Sequence, residues 1–118
     1  MGNLENAAFT PQGLVYARSI TASQVNATTP TGFVSGGTAL LVYNAGPAAV
    51  VVKAYQNSQG APTLVFPVDG APPTGQPGVL VPPGANVIFR IPLNADSFAA
   101  IGSAAGPSLI YVQRGKGI

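Results

Sequence analysis

Short apolar runs closed by Gly, Pro or Asn succeed one another along this chain, and within each run successive residues fall on opposite sides of an extended backbone. The first, Gly13 to Ala22, sets Val15, Ala17, Ser19 and Thr21 against Leu14, Tyr16, Arg18 and Ile20, a mixed pattern that suits an edge strand. Thr38 to Tyr55 reads as a β-hairpin, two β-prone runs joined through Asn44-Ala45-Gly46-Pro47, whose Asn and Gly supply the dihedrals of a tight reversal. In its second run Val50, Val52 and Ala54 oppose Val51, Lys53 and Tyr55, so neither side is properly polar.

Further on, "TLVFPVD", residues 63–69, reads as a short strand interrupted by Pro67, and "GAPPTGQPG", residues 70–78, as a long exposed loop stiffened by its three prolines. Val79 to Val81 and Asn86 to Pro92 are strands on either side of a Pro82-Pro83-Gly84 corner, in which Gly84 accepts positive φ. Val87, Phe89 and Ile91 point to one side of the second strand, Ile88 and Arg90 to the other. A small-residue connection follows, with one short helical turn around Asp96 to Ile101, before a last strand from Ser108 to Arg114 that sets Ile110 and Val112 against Leu109 and Tyr111.

Seven or eight short strands at this spacing predict an all-β chain, an antiparallel β-sandwich or jelly roll. The expected organisation is an N-terminal arm over residues 1–12 and a single sandwich domain over 13–118. Sandwich strands ordinarily read apolar inside and polar outside, yet three of the best strands here are apolar on both sides. Something must cover the second side: the N-terminal arm, neighbouring subunits or a larger assembly.

Composition sharpens that expectation. Charged residues make up 7% of the 118, against about 25% in ordinary globular chains. All eight can be named: Glu5, Arg18, Lys53, Asp69, Arg90, Asp96, Arg114 and Lys116. A surface so poor in charge implies that much of it does not face water in the working state. The net charge of +2 comes from five scattered basic residues, which argues against nucleic acid as a partner. No apolar run approaches the length of a membrane span, and no signal-peptide pattern is found.

The chain has neither His nor Cys, which excludes Ser-His-Asp and Cys-His triads, disulfides, and His- or thiolate-based zinc sites. Of its three carboxylates, Asp69 and Asp96 sit in turn contexts where a hydrogen-bonding Asp is the ordinary expectation, so a two-carboxylate glycosidase site is disfavoured. "NADS", residues 94–97, is a turn rather than a calcium loop, and the glycines form no phosphate-binding motif. "NAT", residues 26–28, fits a glycosylation acceptor only by pattern. These readings predict a non-enzymatic protein with no cofactor and no metal. Tyr16, Tyr43, Tyr55 and Tyr111 suit core or interface positions better than a sugar-stacking platform. Lys53 and Arg90, each alone on an apolar strand, are edge guards or interface charges.

"VLVPPGANVIFRIP", residues 79–92, and the closing "SLIYVQRGKGI", residues 108–118, resemble small all-β virion proteins of tailed bacteriophages, in which a strand ending in a Pro/Gly corner leads to another strand and a final strand ends in Arg-Gly. The resemblance spans about Thr38 to Gly117. It implies a capsid decoration, or cement, protein on the virion surface that binds the major capsid protein, often as a homotrimer with an extended N-terminal arm. The expected interface residues are Phe9, Tyr16, Arg18, Lys53, Tyr55, Arg90, Arg114 and Lys116. A head-to-tail joining or tail structural protein shares this composition. A carbohydrate-binding β-sandwich module is the alternative of a different class.

Overall fold

The computed structural model describes residues 9–28, 38–92 and 94–116. In chain order its strands are β1 (Thr10–Pro11), β2 (Tyr16–Ile20), β3 (Val25–Thr28), β4 (Ala39–Asn44), β5 (Val50–Tyr55), β6 (Val79–Val81), β7 (Asn86–Arg90), β8 (Ser97–Gly102) and β9 (Ser108–Lys116), with one 3-10 turn at Asn57–Gln59. They form two antiparallel sheets. In the front sheet β9 lies between β4 and the pair β1 and β2, and β4 continues to β7; the back sheet runs β3-β8-β5-β6. β9 is long enough to hold β2 along residues 108–112 and β1 at Gly115 and Lys116 on one side, with β4 on its other side.

The period-two pattern explains the layering. Ile20, Leu40, Val42, Ile110 and Val112 of the front sheet share one core with Ala27, Val50, Val52, Ala54, Val81, Phe98 and Ala100 of the back sheet. The Tyr16 ring meets Phe98 edge-on at 5.9 Å across the gap between the sheets. Each fully buried Val, Leu, Ile or Phe adds about 1.5–3 kcal/mol of apolar burial. Ile91, Val87 and Phe89 all contribute to this core, as their alternation predicts.

Three expectations are corrected. Thr38 to Tyr55 is not a hairpin: β4 pairs with β7 and β9, β5 with β6 and β8, so the Asn44–Pro47 reversal carries the chain across the core from one sheet to the other. Turn residues encode a change of direction, whereas both runs have an apolar side that must find the shared interior. Residues 63–69 form no strand. The helical turn around Asp96 to Ile101 is instead β8, where Phe98 and Ala100 point into the core and Ala99 is buried on the opposite side. A central strand covered on both sides takes small residues, and that packing overrides the helix preference of alanine. Of the expected arm, residues 1–8 lie outside the described residues, while Thr10 and Pro11 are paired to β9.

One buried side chain organises two of the places where the chain crosses between sheets, β4 to β5 and β6 to β7. Asn44 is fully buried. Its Nδ2 donates to the carbonyls of Ala48 at 2.8 Å and Val81 at 3.0 Å. Its Oδ1 accepts from the Gly46 N–H at 3.0 Å and from Ser108 Oγ at 2.7 Å. Gly46 is required there because a Cβ would sit 2.1 Å from Ser108 Oγ and 2.5 Å from Ser108 Cα. At the second crossing Gly84, at φ +76°, donates its N–H to the Asn44 carbonyl at 2.8 Å. Replacing Asn44 with Ala orphans two buried carbonyls and two donors and should lower unfolding free energy by about 3 kcal/mol, against about 1 kcal/mol for Ser108→Ala; urea denaturation of both variants checks this.

Candidate functional site

The outer side of the front sheet carries a continuous row of register partners, Ala17, Tyr111, Tyr43 and Asn86, one from each of β2, β9, β4 and β7. A second row places Gln113, Leu41 and Ile88 beside it. Leu109 and Ser19 form the next pair beyond Tyr111 and Ala17. None of these nine side chains is charged. Tyr43, Tyr111 and Leu109 are each more than a third exposed, and the two tyrosine rings lie nearly parallel at 16° with centroids 6.3 Å apart. Phe9 and Pro11 join Leu41, Asn86, Ile88 and Gln113 around a shallow depression on the same side. On this side of the sheet a charge appears one row further on, where Arg90 pairs with Ala39.

The eight expected interface residues do not gather on one surface. Phe9 belongs to the front face just described. Lys53 and Arg90 meet at a cleft along the β6 and β7 edges, with Val79, Phe89 and Pro77 between them. Arg18 is exposed at the β2 edge, in reach of the Tyr16 hydroxyl at 3.3 Å, and Tyr16 itself is half-buried against Phe98. Lys116 is exposed at the end of β9.

Tyr55 and Arg114 are corrected from surface to interior. Arg114 is 1% exposed, and its Nη1 donates to the buried Ala95 carbonyl. Burial lowers its pKa, an effect that the nearby Asp96 charge opposes. Arg114 shares the inward register of Ile110 and Val112, and a Gly-flanked basic residue near a chain end gives no sign of that in sequence. Tyr55 lies under Leu64, packed with Ala99 and Ile101. Its hydroxyl is buried without a hydrogen-bond partner among the described residues. Burial raises its pKa above the ordinary tyrosine value; Ser97, its register partner, opposes this by less, and the nearby Asp96 charge adds to the rise.

Leu64 also answers what covers the second side of the back sheet: the chain's own segment after β5. The residues of the front face that composition did not single out are Leu41, Ile88 and Leu109. Their signal was the apolar outward alternation of Leu41 with Tyr43 and of Leu109 with Tyr111.

Little catalytic chemistry gathers here. Asp96 Oδ1 accepts from the Asn57 N–H at 2.7 Å and from Ser97 Oγ at 3.1 Å, the turn-building role its context predicts. Asp69 is exposed in the proline-rich loop. Among the described residues no three potential metal ligands cluster, and no helix is long and apolar enough to cross a membrane. Comparisons with protein-family models, curated proteins and solved structures found no match to this chain.

The orphaned hydroxyl generates a prediction. Because the folded state holds the Tyr55 proton more tightly than the unfolded chain does, this group's contribution is fully present below about pH 10 and is lost as pH rises through the raised folded value. Tyr55→Phe should flatten the alkaline limb of the stability-against-pH curve. Near neutrality it should leave stability unchanged or raise it by up to about 1 kcal/mol; urea midpoints between neutral pH and pH 11 read both effects.

Proposed function

We propose that this chain is a non-enzymatic structural virion protein that binds the outside of a phage capsid and stabilises it as a decoration, or cement, protein. The observation that carries the reading is the outer face of the front sheet, where Tyr43, Tyr111, Leu41, Ile88 and Leu109 stand together with no charged side chain between them and, among the described residues, only Phe9 and Pro11 beside Leu41 and Ile88. A face of aromatic and aliphatic side chains rimmed by Asn86, Gln113 and Ser19 has the make-up of a protein-binding patch: an apolar centre with uncharged polar groups around it. Replicated by symmetry over a shell, even a modest contact per copy accumulates.

The fold assigned with this function is a jelly-roll β-sandwich. Its support is the strand order. With β1 set aside as an extra edge piece, eight strands divide as β2-β9-β4-β7 and β3-β8-β5-β6, the arrangement produced by winding two Greek keys into facing four-stranded sheets. Jelly rolls recur in capsid and lectin domains. Homo-oligomerisation, with a trimer favoured, belongs to the same proposal and rests on the resemblance of residues 79–92 and 108–118 to phage virion proteins.

A carbohydrate-binding module keeps one specific observation in its favour, the exposed pair Tyr43 and Tyr111 in direct register. It draws on two tyrosines, since Tyr55 is buried and Tyr16 half-buried.

Purified protein mixed with undecorated capsids of the encoding phage should bind, with copies per major capsid protein near one or a fixed large fraction of it in mass spectrometry of virions. Tyr111→Glu, a charge placed in the centre of the face, should weaken that binding about tenfold or more while leaving the fold intact. Undiminished binding by the variant would move the contact to another surface. Failure of the unaltered chain to bind capsids, together with retention of a neutral glycan that Tyr111→Ala loses, would replace this reading with the carbohydrate one.

A further inference from the structure

Residues 61–78 cover the outer side of the back sheet without joining it. The segment contains no strand, and of its residues only Pro62 and Leu64 are buried. Beneath it Leu64 completes a small apolar cluster with Tyr55, Ala99 and Ile101. Alongside, Val51 lines a groove of about 380 Å³ that Phe66, Pro72, Pro73 and Leu80 also line. Around Tyr55 and Ala99 the back sheet is therefore finished as an interior surface on a side that faces away from the core, while Leu80 at its edge stays exposed.

Very little holds the cover down. Gln24, just ahead of β3, donates from Nε2 to the Pro62 carbonyl at 2.7 Å and accepts the Leu64 N–H on Oε1 at 2.7 Å. A carboxamide offers a donor and an acceptor side by side, as a strand residue's backbone does, so Gln24 stands in for a neighbouring strand. Its Nε2 also donates to Asn26 Oδ1 at 2.8 Å, which orients the amide for both contacts. The Gln76 N–H bond to the Thr63 carbonyl, at 2.9 Å, is internal to the segment and ties it to nothing below. Under the cover the Tyr55 hydroxyl lacks a hydrogen-bond partner among the described residues, and opening would return it to water.

We propose that residues 61–78 are a strap latched by Gln24, which lifts from the back sheet when those two hydrogen bonds are lost while the two sheets stay packed. The sandwich core is built from the strands themselves, so the strap and the core have separate supports. The strap residue Leu64 is the plug, and lifting it bares Tyr55, Ala99 and Ile101 as a second apolar face on the side opposite Tyr43 and Tyr111. This latch operates in the isolated chain and does not depend on capsid binding.

Amide hydrogen exchange on the full chain tests it. In Gln24→Ala the Leu64 amide should exchange on the order of tenfold to a hundredfold faster, with increased binding of a hydrophobic dye, while the Val42 and Val112 amides keep their protection. Gln24→Glu retains the acceptor for Leu64 but loses the donor to Pro62, and should fall between wild type and Gln24→Ala. Leu64→Ala, which removes the plug and leaves the latch, should also raise dye binding. An unchanged Leu64 exchange rate in Gln24→Ala would overturn the proposal, as would acceleration of Val42 and Val112 in step with it, since strap and sheets would then open as one unit.

Discussion

Two sheets that face each other must be joined by chain crossing between them, and at the crossing the backbone leaves its ladder with polar groups turned inward. Asn44 meets that constraint. Two of the crossings, from β4 to β5 and from β6 to β7, close around its side chain or its backbone carbonyl, and Ser108 brings in the start of β9. Only a residue with two donors and an acceptor on a short stem can serve the Ala48 and Val81 carbonyls and two incoming donors at once. In an interior of low dielectric, each of these groups is costly if left alone and strong when paired. The narrow space at Gly46 and the positive φ at Gly84 follow from the same corner.

Beyond the shared core the two sheets differ in how their outer sides are finished. The back sheet carries its own cover over part of its outer side, so Val51, Tyr55 and Ala99 are buried although they point away from the shared core. The front sheet presents Leu41, Tyr43, Ile88, Leu109 and Tyr111 with only Phe9 and Pro11 laid across one end. A chain with so few charges thus covers part of one apolar outer face with its own segment, leaving Leu80, Val65 and Val68 exposed there, and leaves the other face without such a segment. That asymmetry is why the functional reading turns on the front sheet.

Much of the strand layout was legible. β2, β5, β6 and β7 lie within the runs that alternation marks, β9 fills its run and continues two residues further to Lys116, the stretch from Gly70 to Gly78 is an exposed loop, Gly84 adopts positive φ, and Asp96 serves a turn. β8 was not legible, because "SFAAIG" has the small residues of a helix and takes its extended form from neighbours on both sides. The covering segment left no trace either: a coil has no period, so residues 63–69 read as a strand and the cover was expected from the N-terminal arm, neighbouring subunits or a larger assembly. Tyr55 and Arg114 illustrate the same gap at single residues, since a polar tip at a strand position says nothing about what lies above it.

By itself the sequence determined that this chain is all-β, which side chains share a side of its main strands, where the chain reverses, and that His- and Cys-dependent chemistry has no residues to use. Those properties are local, set by alternation, turn stereochemistry and side-chain inventory. Only the tertiary structure decided that Asn44 turns between sheets rather than within one, that Gln24 pins Leu64 over Tyr55, and that Tyr43 and Tyr111 share an open face. Period two tells which way a side chain points but not which distant strand lies beside it. Here nearly every pairing joins strands far apart in the chain, so the neighbours that bury one apolar face and leave another open are chosen by the fold as a whole.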